Sequence, residues 1–156
     1  MALSLLTGRA STIANQTLQG PRQDYSTEAH LIYLSQTLIK KLNARLYADP
    51  FIEQHVSPSI HVEMNGSHAG TGLSTYIDNY KTYADMCHEF QVDTGGNASA
   101  EIENNKGTVI LSQDIQAYEH EDRRMSGTLL MTWSRKQTKW VCNSVCMMLG
   151  TPEFLP

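Results

Sequence analysis

Apolar positions follow a helical period in the first half of the chain and an alternating one in the second. Leu31, Leu34, Leu38, Leu42 and Arg45 recur every three or four residues, with Ile39 and Leu46 beside them. Ser26-Thr27-Glu28 stands just ahead, a hydroxyl followed by an acid, as at a helix start. The spacing predicts a helix of roughly twenty residues that ends before Asp49-Pro50, because the residue preceding a proline is pushed out of the helical region. A short helix from Pro50 to about His55 follows, with proline in the first turn where a helix accepts it. Strict alternation over Ile60-His61-Val62-Glu63-Met64 then predicts a strand that buries Ile60, Val62 and Met64 and leaves His61 and Glu63 wet. Turns are expected at Asn65-Gly66 and Gly70-Thr71-Gly72. Leu73, Tyr76, Ile77, Tyr80, Ala84 and Cys87 mark one stripe of a third helix.

The rest reads as an antiparallel meander over 89–93, 98–103, 108–118, 125–135 and 139–149, punctuated by Gly95-Gly96-Asn97, Asn104 to Gly107, the charged EHEDRR and Arg135 to Thr138. Helices first and long strands afterwards predict an α+β fold, a curved antiparallel sheet wrapped on the N-terminal helices as a cone-shaped barrel. One such domain is expected over residues 25–156, and a loosely held arm over residues 1–24, which lack periodicity and contain Gly20-Pro21.

Composition narrows the function classes. With 40% apolar and 18% charged residues and a formal charge of −4, the 156-residue chain matches an ordinary soluble domain. Its few basic pairs, Lys40-Lys41 and Arg123-Arg124, are isolated and not interleaved with aromatics, which argues against a nucleic-acid partner. No stretch is long and apolar enough to span a bilayer, and MALSLLTGRA lacks a basic leader, so a cytoplasmic location without membrane contact is expected. Cys87, Cys142 and Cys146 have neither metal-ligand nor CxxC spacing and read as free thiols, the last two sharing a strand face with Ser144. The histidines show no pairing at metal spacing, and no metal is expected.

Two passages carry a resemblance. FIEQHVSPSIHVEMNG (51–66) and TWSRKQTKWVCNSV (132–145), in this order of helices and strands, resemble the nuclear transport factor 2-like superfamily, in particular its SnoaL-like branch of small cyclases and isomerases. The resemblance covers residues 26 to 150. It implies a cone with a pocket between the sheet and the first helix, no cofactor, and a homodimer through the outer sheet face. It also brings to mind small fungal-type isomerases and cyclases of secondary metabolism that act on polyketides or terpenoids. The fold alone does not fix a function, because it hosts isomerases, dehydratases, cyclases, epoxide hydrolases and binding modules.

The candidate chemistry centres on the strand over 108–118. Its odd positions, Val109, Leu111, Gln113, Ile115 and Ala117, are the more apolar set, and periodicity alone would bury them and leave Asp114 in water. Similarity to ketosteroid isomerase implies the reverse, with Ser112, Asp114, Gln116 and Tyr118 lining the cavity. In that case desolvation favours the protonated form of Asp114 and suits it to general acid or base work, while Tyr118 donates a hydrogen bond to a developing oxyanion. Arg45, at the end of the first helix, either complements the helix dipole or orients substrate at the mouth of the cone. His61 and Glu63 share a strand face and are secondary candidates. The position of the ketosteroid isomerase catalytic aspartate falls near Met64, a departure that puts that particular chemistry in doubt. Met125, Leu129, Met131 and Trp133, with Trp140 and Met148, form an apolar wall that is mostly core, with a remnant that suits an apolar ligand; Tyr80, on the buried stripe of the third helix with Tyr76, reads as core before ligand contact. Two readings follow. One is a cofactor-independent acid/base isomerase, cyclase, dehydratase or epoxide hydrolase acting on a small apolar organic substrate. The other is a non-catalytic binding or dimerisation module of the same fold.

Overall fold

The computed structural model describes residues 26–154, so the expected N-terminal arm lies outside the described residues. In chain order the elements are α1 (Thr27–Asn43), α2 (Pro50–His55), β1 (Val56–Met64), β2 (Ser67–Thr71), α3 (Leu73–Met86), β3 (Gln91–Asp93), β4 (Ala98–Glu103), β5 (Lys106–Gln116), β6 (Arg123–Lys136) and β7 (Lys139–Phe154).

Helix α1 starts where its cap predicts, the Ser26 hydroxyl accepting from the Ala29 amide at 3.2 Å. It buries Leu31, Leu34, Ser35, Leu38, Ile39 and Leu42, one continuous apolar stripe interrupted by a single hydroxyl. That hydroxyl is satisfied: Ser35 Oγ donates to the Leu31 carbonyl at 2.8 Å and accepts from Trp133 Nε1 at 3.1 Å, which ties the helix to β6. The helix ends at Asn43, earlier than its apolar spacing implies, because Arg45 adopts a left-handed φ of 61°. Leu46 is consequently turned outward and 48% exposed. Asp49 caps α2, accepting from the Phe51 amide at 2.9 Å and pairing with Lys41 at 2.9 Å.

The sheet runs β2-β1-β7-β6-β5-β3, with β4 also paired to β5. All neighbours are antiparallel except β1 and β7, which are parallel. The expected α+β architecture is present, but the curved sheet stays open, with β2 at one edge and β3 and β4 at the other, so no closed barrel forms. Strand β2 overlaps the turn expected at Gly70-Thr71-Gly72 and takes in residues 67–69, for which no element was expected. Bulges also change which residues share a face. Thr132 pairs with Ser144 but Trp133 with Cys142, so β7 carries one extra residue there and Cys142 turns inward, away from the side of Cys146. Cys142 is fully buried and Cys146 only partly so; the shared face expected for them is broken by that bulge.

The core joins α1 to the inner sheet face through Leu31, Leu38, Leu111, Met131 and Trp133, each at most 1% exposed. The helix and sheet approach closely at Gly107, where a Cβ would stand 2.3 Å from Leu31 Cδ1. Among the described residues no helix is long and apolar enough to cross a membrane.

Candidate functional site

Between α3 and the inner sheet face lies a cavity of about 190 Å³. Helix α1 contributes only Ile39 to this lining, whereas α3 supplies Tyr76, Asn79, Tyr80 and Tyr83; a separate open groove lies between α1, through Gln36, Lys40 and Asn43, and the sheet, where the resemblance implied a pocket. Val62 and Met64 of β1, Leu129 of β6 and Met147 and Leu149 of β7 form an apolar floor. The stripe on α3 is the physical reason: tyrosines at i, i+4 and i+7 from Tyr76 project from one helix face toward the sheet.

Strand β5 settles which of its faces looks inward. Val109, Leu111, Gln113, Ile115 and Ala117 are buried, while Asp114 and Gln116 are exposed and Ser112 is half-buried. Ser112 spends its hydroxyl on the Asn97 carbonyl at 3.1 Å. The expectation that Ser112, Asp114 and Gln116 line the inner cavity is therefore corrected: apolar periodicity, not the family pattern, decides the phase of this strand. Asp114 and Gln116 instead border an open polar groove on the β3 side, together with Lys40, Asp93 and Arg124.

Tyr118 enters the cavity even though it shares parity with Asp114. Ala117 takes a left-handed φ of 56°, which rotates the chain after β5 so that two consecutive residues, Ala117 and Tyr118, are both buried. The ring then sits between the Arg123 guanidinium, 5.2 Å from its centre, and the Tyr83 ring at 5.0 Å. Its hydroxyl donates toward Tyr83 Oη at 3.4 Å, and both hydroxyls lie 3.9 Å from Met64 Sδ. Burial, reinforced by the Tyr83 contact, pushes the Tyr118 phenol well above its ordinary value, so it is a neutral donor across the physiological range. Burial raises Tyr76 and Tyr80 in the same way.

The other expected site residues divide. Met64 and Tyr80 do line the cavity, and the Tyr80 hydroxyl donates to Asn43 Oδ1. Asn43 in turn holds β3, exchanging hydrogen bonds with the Val92 carbonyl at 2.8 Å and amide at 3.0 Å. Met131, Trp133 and Trp140 are buried core and do not reach the cavity. Met148 is 45% exposed on the opposite sheet face. His61 and Glu63 pair with each other at 2.9 Å on the wet face of β1, as alternation predicts. Arg45 stands outside the cavity too: its Nη2 donates to the Phe90 carbonyl at 2.8 Å, beside Tyr47, Lys81 and Asp85. Its left-handed backbone carries it off the α1 stripe.

The residue not singled out from sequence is Gln113. It is 2% exposed, lines the cavity, and neither its Nε2 nor its Oε1 has a hydrogen-bond partner in the protein. A buried amide left without partners costs about 1–3 kcal/mol, which marks the position as one with a use. The signal was in the sequence: one amide in the middle of an otherwise apolar set. No Asp, Glu, His, Lys or Arg lines the cavity among the described residues. No group of three or more His, Cys, Asp or Glu among them is placed to hold a metal ion.

No protein-family model matches the sequence, and no curated protein matches it significantly. Solved structures do share the architecture. The hexachlorocyclohexane dehydrochlorinase LinA-type3 from Novosphingobium barchaimii superposes with a TM-score of 0.65 at 11% identity, covering 78% of this chain and 85% of its own. A protein with a cystatin-like fold from Caulobacter vibrioides gives 0.63 at 10% identity, with 78% and 87% covered. An NTF2-like protein from Pseudomonas putida gives 0.62 at 12% identity, with 79% and 86% covered. At these identities the likeness is one of fold: the chain has the NTF2-like, cystatin-like cone.

Proposed function

We propose that the inner cavity binds a small, largely apolar organic molecule through a single polar group, received by Gln113 and the Tyr118–Tyr83 hydroxyls. The observation that carries this reading is the buried, unpartnered amide of Gln113 on an apolar wall. Ligand sites combine such walls with a few convergent polar groups. At about 190 Å³ the cavity falls below the usual range of roughly 300–1,000 Å³ for drug-sized ligands, so the molecule is smaller than those.

A second reading, a cofactor-independent isomerase or lyase of secondary metabolism, is favoured by the neutral tyrosine donors and by the fold shared with the dehydrochlorinase. Tyr118 would polarise an oxygen that gains charge. Proton abstraction would need a base from outside the lining, since Asp114 stands on the other face of β5. Binding is therefore the function the geometry supports best.

Titration of the full chain with small cyclic ketones and alcohols, followed by amide NMR shifts, tests it. The expected result is perturbation centred on Val62, Gln113, Tyr118 and Leu129, weakened by Tyr118→Phe. Shifts confined to the outer groove, or none at all, would overturn the proposal.

A further inference from the structure

Gln113 has two free atoms of opposite hydrogen-bonding character, and together they specify more than polarity. Nε2 offers two donors and Oε1 accepts, side by side on one planar group. Its neighbours along and across the sheet answer neither atom. Leu111 and Ile115 flank it along β5, and Gly127, which pairs directly with it from β6, has no side chain. The Tyr83 and Tyr118 hydroxyls are turned to each other and to Met64, and the Tyr80 hydroxyl to Asn43. A ketone or ether would leave Oε1 without a donor, and a single hydroxyl cannot meet both atoms with good geometry. A carboxylate fits poorly as well, because no cation lines the cavity to offset its desolvation.

We propose that the ligand presents an adjacent N–H and C=O edge, as a lactam or an unsubstituted or singly substituted cis-like carboxamide does, and pairs with Gln113 through two parallel hydrogen bonds. The proposal rests on the reading of the cavity as a ligand site. It adds that the apolar remainder of the ligand packs against the floor of β1, β6 and β7, while its amide edge meets β5.

Four ring compounds of matched size separate the two ideas: caprolactam, N-methylcaprolactam, cycloheptanone and cycloheptane, each titrated against the purified full chain by ligand-observed NMR. Caprolactam is expected to bind about tenfold more tightly than cycloheptanone or the N-methyl compound, the increment of one well-made buried hydrogen bond. Gln113→Leu should abolish that preference, caprolactam then binding no more tightly than cycloheptanone. Gln113→Met, with an unbranched side chain of similar length, repeats the comparison should the leucine variant fold poorly. Equal binding of caprolactam and cycloheptanone overturns the amide-edge inference but leaves the cavity reading standing. Failure of all four to bind the folded wild-type chain overturns both.

Discussion

At the scale of single residues, three buried phenols set a testable pH limit on the fold. Tyr76, Tyr80 and Tyr118 are held above the ordinary tyrosine value of 10.0 chiefly by burial. The folded chain thus keeps protons that the unfolded chain releases above that pH. With the folded value raised, the linked stability is fully present below pH 10 and is lost as pH rises from there toward the folded values. An alkaline titration that follows phenolate absorbance beside near-ultraviolet circular dichroism should show these three ionising only as tertiary structure collapses. Reversible ionisation of every tyrosine with the dichroism intact would contradict their burial. The same residue scale shows what sequence could and could not tell. The apolar set of β5 named its own inner face, whereas Tyr118 reversed sides through the left-handed Ala117, a backbone event that alternation does not encode. Arg45 left the helical stripe for the same kind of reason.

Helix α2 and strand β4 match the spans expected from proline placement and turn residues, and α1 and α3 begin where their caps and stripes predict. Strand β2 went unread because Ser67 to Thr71 has no apolar alternation and four of its five residues are exposed, so only pairing with β1 defines it. The bulges of β7 were equally invisible, since register is set by tertiary pairing. One of them explains Gly127. Met125 pairs with Pro152 but Gly127 with Leu149, and a Cβ on Gly127 would stand 2.3 Å from the Met148 carbonyl oxygen. Gly127→Ala should accordingly destabilise the chain by more than about 1 kcal/mol, measured by urea unfolding, because backbone rather than a mobile side chain must yield. A neutral effect would mean that the bulge relaxes freely.

For the whole molecule, the open sheet leaves an outer face on which Ile110 and Met148 are 42% and 45% exposed. Across the strands, Ile110 pairs with Leu130 and Leu130 with Cys146, giving a short apolar row beside Thr128 and Met148. We propose that a second copy of the chain covers this row, the homodimer that the sequence resemblance implied. Sedimentation of the wild type should report a dimer and that of Ile110→Arg a monomer. A wild type that sediments as a monomer, or a variant that stays dimeric, would contradict that arrangement.

The Gln113 amide is buried without a partner in the protein, at a cost to the fold, and we propose that a ligand completes it. The free energy of unfolding of ligand-free Gln113→Leu, set against wild type, addresses this most directly. An apolar residue of similar size removes the penalty, so the variant should be more stable by about 1–3 kcal/mol. A variant less stable than wild type by a similar margin would show that the amide is held within the fold, and the cavity would lose the group that makes it a site.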